Sequence, residues 1–243
     1  MRNILFVVMF FFLILKINGQ AIDSVVSAKK LSYKSLLIPT ALMGSGVLLF
    51  KTQLNKDLQK ESQSFFGSDF RTGADNFTVF VPLVQMYTGK LLGFKPKNTV
   101  MHQTIDVVTA DAISYIVVTA IKNSVKAHRP DSSNQLSFPS GHTAIAFTHA
   151  ALLYQEYKDA DFWYASSGFV FATATGILRV ANNKHYTSDI LTGAGIGLAS
   201  GIIVSYYNPL QKIYFGKKNE ASAFIYPQIG SQIGLGILIK PSF

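Results

Sequence analysis

FWYASSGFVFATATGILRVANNKHYTSDILTGAGIGLASGIIVSYY, residues Phe162 to Tyr207, is the stretch on which the fold turns. An apolar run reads as a helix over 162–180, a polar segment interrupts it, and a second apolar helix follows over 187–207. Gly193, Gly195, Gly197 and Gly201 in the second run mark close helix packing. Because GAGIG there follows a helix start and has no strand before it, it is not a dinucleotide loop. Further upstream, apolar segments at about residues 142–157, 103–123, 77–92 and 35–51 carry the same signal. The class is therefore all-α, a six-helix bundle. The polar stretch Lys51 to Asn76 reads as a short amphipathic helix and a loop whose charges are mostly solvated, and a linker with Pro96 joins the second and third helices. Beyond Pro209 the period changes to two. Ile233, Leu235, Ile237 and Ile239 alternate as in a strand, with Ala223 to Ile229 as partner and Gly230-Ser231 as the turn of a hairpin.

At 243 residues and 49% hydrophobic, the chain is long enough for one buried core. Residues 1–19 read as a signal peptide: Arg2, an apolar run from Ile4 to Leu15, then Gly19 and Gln20. That run is too short to span a bilayer comfortably. The expected organisation is a leader at 1–19, a helical domain at 20–208 and a tail at 209–243. A net charge of +9 favours anionic partners such as phosphate groups or acidic lipid surfaces. Nucleic acid is not expected, because the basic residues are dispersed and no stretch interleaves cations with aromatics. With no cysteine, disulfides, thiolate metal sites and cysteine nucleophiles are excluded.

Three polar clusters sit at the ends of apolar helices. In KNSVKAHRP, Lys122 to Pro130, the cations Lys122, Lys126 and Arg129 recur at four and three residues, so a helix continuing to Pro130 would place them on one face. In FPSGH, Phe138 to His142, Pro139 and Ser140 make a helix start. The Ser140 hydroxyl, the Gly141 N–H and the helix dipole offer donors to an oxyanion, with His142 in the first turn. In RVANNKHYTSD, Arg179 to Asp189, the carboxylate lies four residues after His185, where on one helical face it could hold the imidazole and leave the other ring nitrogen free. Arg179 ends a long apolar helix, where an unpaired charge is costly, so it needs an anion. Together the clusters supply positive charge, oxyanion donors and two imidazoles with separable roles, the parts that phosphoryl transfer requires.

The three motifs, K-x6-R-P, P-S-G-H and R-x5-H-x3-D in that order, resemble those of the type 2 phosphatidic acid phosphatase (PAP2) and vanadium haloperoxidase superfamily. The resemblance covers roughly residues 100–207. It implies a helical bundle of the PAP2/chloroperoxidase type and a phosphatase without metal or other cofactor. Carried over residue by residue, it implies that Lys122, Arg129, Ser140, Gly141 and Arg179 bind phosphate oxygens. His185 would attack phosphorus, Asp189 would orient His185, and His142 would protonate the leaving oxygen and then help activate water. The family's third motif usually has Ser before its arginine; here Leu178 stands there, and one hydrogen bond to phosphate is missing.

The expected partner is a phosphorylated lipid or a small phosphate ester, with membrane association, and the expected location is the cell envelope with the site in the periplasm. Two alternatives accompany this reading: a vanadate-dependent haloperoxidase, and a non-catalytic envelope protein that binds anionic lipid. A metal grouping of His142, His149, His185 and Asp189 is disfavoured because the nearby cations would repel an ion. Asp111 falls near the helical face of Lys122, where it could offset a buried charge or be solvated. Counting crossings from a removed leader puts Ala21 outside, and three spans would then return the Lys122 to His142 segment to the cytoplasm. A leader retained as an anchor leaves that count unchanged, so a periplasmic site requires a first segment that does not span or export of the whole bundle.

Overall fold

A computed structural model of the chain describes residues 31–208 and the strand residues 222–228 and 234–240. The expected leader at 1–19 lies outside the described residues. In order come a 3-10 turn (Tyr33–Leu36), α1 (Leu37–Leu49), α2 (Gln53–Phe66), α3 (Asp75–Thr78), α4 (Val81–Thr88), a 3-10 turn (Gly89–Leu92), α5 (Val100–Val125), α6 (Gly141–Tyr157), α7 (Phe162–Ala181) and α8 (Thr187–Tyr207). Separately, β1 (Ser222–Gln228) pairs antiparallel with β2 (Gly234–Lys240), Ser222 opposite Lys240 and Gln228 opposite Gly234. This is the anticipated hairpin, with its turn outside the described residues.

Five of the anticipated helices form as continuous rods. The expected helix over 77–92 instead divides into α3, α4 and the second 3-10 turn. Pro82 sits in the first turn of α4, where its missing N–H costs nothing but its ring bars a continuous helix from the preceding turn. The polar segment 51–76 does contain the expected amphipathic helix, α2. Thr52 Oγ1 caps it by accepting from Asn55 N at 3.2 Å, and its axis bends 96° from α1.

α6 and α8 form the centre and run parallel, because α8 glycines bring their backbones into contact. A Cβ on Gly193 would meet Ser140 O at 2.5 Å, and one on Gly197 would run into Ala144 O and meet Thr148 N at 2.9 Å. Gly197→Ala is therefore expected to push α8 off α6 and cost about 1–3 kcal/mol or more, read as a lowered unfolding midpoint in mild detergent. An unchanged midpoint would show that α6 and α8 can yield. α1 runs antiparallel to α8, with Gly46 against Thr192 and Ser188 and Pro39 against Gly195. α7 runs antiparallel to α6, with Gly176 against Thr143 and Gly168 against Ala150 and Leu153. The N-terminal ends of α6 and α8 and the C-terminal ends of α1, α5 and α7 thus share one end of the bundle.

α5 and α8 are long and apolar enough to cross a membrane, and α1 with α2 would add a third span if that bent pair counts as one. α5 turns Val108, Tyr115 and Ile116 outward, each more than 60% exposed. A water-soluble bundle would bury such a face; in a bilayer it meets lipid.

Candidate active site

All eight anticipated site residues belong to the shared end, though two of the three clusters come there differently from the sequence expectation. The basic cluster is not one helical face. α5 stops at Val125, and Lys126 closes it in the left-handed conformation, φ 47°. Only Lys122 is helical; Arg129 rides on the following loop, and Pro130 does not end the helix. Lys122 Nζ donates to Leu136 O, and Ser137 O lies at 3.4 Å. Arg129 is held through Nε to Asn134 Oδ1 at 2.9 Å.

His185 and Asp189 do not stack on a helix either. His185 lies in the turn before α8, and Asp189 is the third residue of that helix. The contact forms because the Asp189 carboxylate folds back over the helix start. Its Oδ2 accepts from His185 Nδ1 at 3.3 Å, Tyr186 N at 3.0 Å and Ser137 Oγ at 2.5 Å, while Oδ1 accepts from Ser188 Oγ at 3.1 Å. Since Nδ1 faces a carboxylate, it carries the proton, and Nε2 is left with a lone pair and no bond to another described residue. His185 N and Lys184 N both donate to Arg179 O, which ties the turn to the end of α7.

Ser140 is the N-cap of α6, as its sequence required. Its Oγ accepts from Thr143 N and from Thr143 Oγ1 at 2.9 Å, and its N–H donates to Asp189 O at 3.0 Å. Gly141 opens the helix, and His142 Nε2 donates to Asn76 Oδ1 at 3.2 Å. Ser137 links the parts, since its carbonyl faces Lys122 and its hydroxyl binds Asp189. Lys122, Arg129 and Arg179 lie within Coulombic range of one another, and Lys122 and Arg129 within that of Asp189. A second tie, Lys184 Nζ to Asp131 Oδ2 at 2.6 Å, joins the Arg129 loop to the His185 turn. Burial alone would raise the Asp131 carboxyl, but hydrogen bonds from Lys184 and Ser133 outweigh it and hold it down at about 2. The tie therefore persists in mild acid.

The polar segment before α4 departs most from expectation. Asp75 is not solvated but 1% exposed. It accepts from Arg179 Nη1 at 2.5 Å and from Asn182 Nδ2 at 3.1 Å. Arg179 thus has its anion within the protein, although its buried Nε has no partner among the described residues. Asn55 bonds Ser188, Gln59 bonds Asn183, and Gln63 bonds the carbonyls ending α7, so α2 lies across this end as a polar lid on the His185 turn. Outside the cluster, His149 faces Asp111 at 3.0 Å and Val79 O at 3.2 Å, so Asp111 is paired rather than solvated. Among the described residues, no three His, Asp or Glu side chains gather at metal-binding distance.

Burial pulls the His185 imidazole down from 6.5 to about 4, against the upward pull of Asp189. A histidine depressed in this way binds its proton more readily when unfolded, so folding stability falls as pH drops from about 6.5 toward 4 and is not lost further below it. That slope should be absent from His185→Gln. Identical urea midpoints against pH for the two proteins would refute the assignment.

A bundle with cations, a helix N-cap and an Asp-held histidine gathered at one end has the arrangement of an oxyanion-handling protein. Residues 103–212 match the model of the PAP2 superfamily, to whose members the chain is similar over that region. It is 32% identical over 164 residues to a lipid A 1-phosphatase of Porphyromonas gingivalis, covering 66% of this chain and 36% of that protein. Over 87 residues it is 31% identical to the bacitracin transport permease protein BcrC of Bacillus licheniformis, covering 36% of this chain and 39% of that one. Among solved structures it is similar to Aquifex aeolicus LpxE, with a TM-score of 0.49 and 20% identity, over 65% of this chain and 98% of that one. The chain spans between 29% and 39% of the length of the curated relatives it matches.

Proposed function

We propose that the chain is a metal-independent phosphatase that hydrolyses phosphate monoesters or pyrophosphates of lipids through a phosphohistidine on His185. One observation carries this reading: a buried imidazole fixed by Asp189, beside an arginine with a buried Nε–H, where neither His185 Nε2 nor that Nε–H has a partner among the described residues. An unsatisfied buried donor costs about 1–3 kcal/mol, which a phosphate oxygen would recover. In the reaction, Lys122, Arg129, Arg179, the Ser140 hydroxyl and the Gly141 N–H grip the non-bridging oxygens. His185 Nε2 attacks phosphorus and the ester oxygen leaves with a proton from His142. Asp189 stabilises the imidazolium through Nδ1. His142 then takes a proton from water, which attacks phosphorus and frees both phosphate and His185.

The name of the Porphyromonas relative and the outward apolar face of α5 both support a lipid substrate. Phosphate release from lipid A, phosphatidate, phosphatidylglycerophosphate and prenyl pyrophosphate, measured in chelator, tests this. Release from small soluble esters alone, or release that chelator abolishes, would reject it.

We further propose that the site faces the periplasm. α1 begins at the end opposite the site, so with the bundle in a bilayer Ser32 must lie on the cytoplasmic side. Alkaline phosphatase fused after Asp131 should be active, and the same fusion after Asp159, between α6 and α7, should be silent. Two active fusions would mean that the whole bundle is exported without spanning, and a silent but stable Asp131 fusion would reject the periplasmic site.

A further inference from the structure

Between α1, α6, α7 and α8 lies a cavity of about 610 Å³, walled by Ile38, Leu42, Phe147, Phe169, Leu198 and Ile202. Its volume falls within the roughly 300–1,000 Å³ of small-molecule sites. It is remote from the active site on two counts. Phe147, Ala151, Tyr154 and Lys158 recur on the face of α6 opposite His142 and His149. Lys158 also stands roughly 27 Å along the helix from Ser140 at 1.5 Å per residue.

The lining is not uniformly apolar. Lys34 and Lys158 both line it toward the end away from the active site, since α1 starts and α6 stops there. Lys158 Nζ is steadied by Gln155 Oε1 at 2.5 Å and lies 5.6 Å from the Tyr154 ring centroid. The neighbouring Asp161 caps α7, accepting from Tyr164 N at 2.6 Å. Two cations at the mouth of a greasy slot match an anionic head carrying acyl chains. The chain's own apolar segment Ile4 to Leu15 is a poorer match, because Arg2 and Lys16 flank it and would add like charge.

We propose that this cavity binds an acyl chain of an anionic diacyl phospholipid, with its phosphodiester at Lys34 and Lys158. A phosphodiester lacks the monoester that the proposed active site cleaves, so this lipid is a bound companion and not a substrate. If the active site faces outward, the lysines lie at the inner leaflet, where anionic lipids concentrate and each basic residue contributes about 1 kcal/mol, or fivefold in affinity.

The probe is phosphatidylglycerol with a diazirine in its acyl chain, present at trace level in phosphatidylcholine vesicles holding the full chain. After illumination, label should concentrate on Phe147, Leu198 and Ile202 over the lipid-facing Val108 and Ile116. It should fall about fivefold with either Lys34→Glu or Lys158→Glu, and should be weak with a phosphatidylcholine probe. Ile202→Trp, which fills the slot and keeps the charges, should also reduce it. Label spread evenly over outward apolar faces, or indifferent to head-group charge, would overturn the proposal. So would label that appears only after residues 1–20 are deleted, since the leader would then be the occupant. Label displaced by vanadate would assign the slot to the substrate's own tail and overturn it as well.

Discussion

His185→Ala should lower phosphate release from the best lipid substrate by about a thousandfold or more while the protein stays folded. The group removed is the proposed nucleophile, and no other side chain in the cluster can replace it. His142 is oriented by Asn76 and belongs to a different helix start, so it cannot reach round to the same face of phosphorus. Folding should survive because Asp189 keeps three donors, Ser137 Oγ, Tyr186 N and Ser188 Oγ, after the imidazole is gone. Phosphate or vanadate binding should also survive, since Lys122, Arg129 and Arg179 are untouched. The variant separates the competing readings. A non-catalytic lipid binder shows no turnover to lose, and a haloperoxidase oxidises halide only with vanadate and peroxide and shows no phosphatase turnover. Free imidazole should restore part of the lost rate by occupying the vacated space. Turnover unaffected by the substitution would remove His185 from the reaction.

What the sequence made legible follows from how local each signal was. The Ser140 cap and the His185–Asp189 pair could be read because each depends on residues within four positions of one another. Their geometry was less legible: the pair meets across a helix start rather than along a helix, and nothing in the residue types distinguishes these at the same spacing. The end of α5 was misread for a comparable reason. Lys126 takes the left-handed conformation usually left to glycine, so Pro130 looked like the first stop signal. Asp75, Asn76, Asn55 and Gln59 were missed altogether. Their partners lie between 66 and 133 residues away, and no periodicity within Lys51 to Asn76 records such pairings. The one available clue was Arg179 itself, a charge at the end of an apolar helix that called for an anion from somewhere in the chain.

That clue leads to the largest expected effect on stability. In Asp75→Asn the shape is nearly kept but the charge is lost, leaving the Arg179 guanidinium buried beside an amide. Both side chains are at least 90% buried, so solvent screens little of the change. Removing one partner of such a pair costs about 3–5 kcal/mol, chiefly because the remaining charge has no compensation. Unfolding in mild detergent should show this loss. The double variant Asp75→Leu with Arg179→Met should regain at least half of it, because no uncompensated charge remains and Asn182 still donates to Thr72 O. Activity should not return in the double variant, since Arg179 is one of the proposed phosphate ligands. If the two single changes simply add, Asp75 and Arg179 are not coupled, and α3 does not hold Arg179, the proposed phosphate ligand, in place.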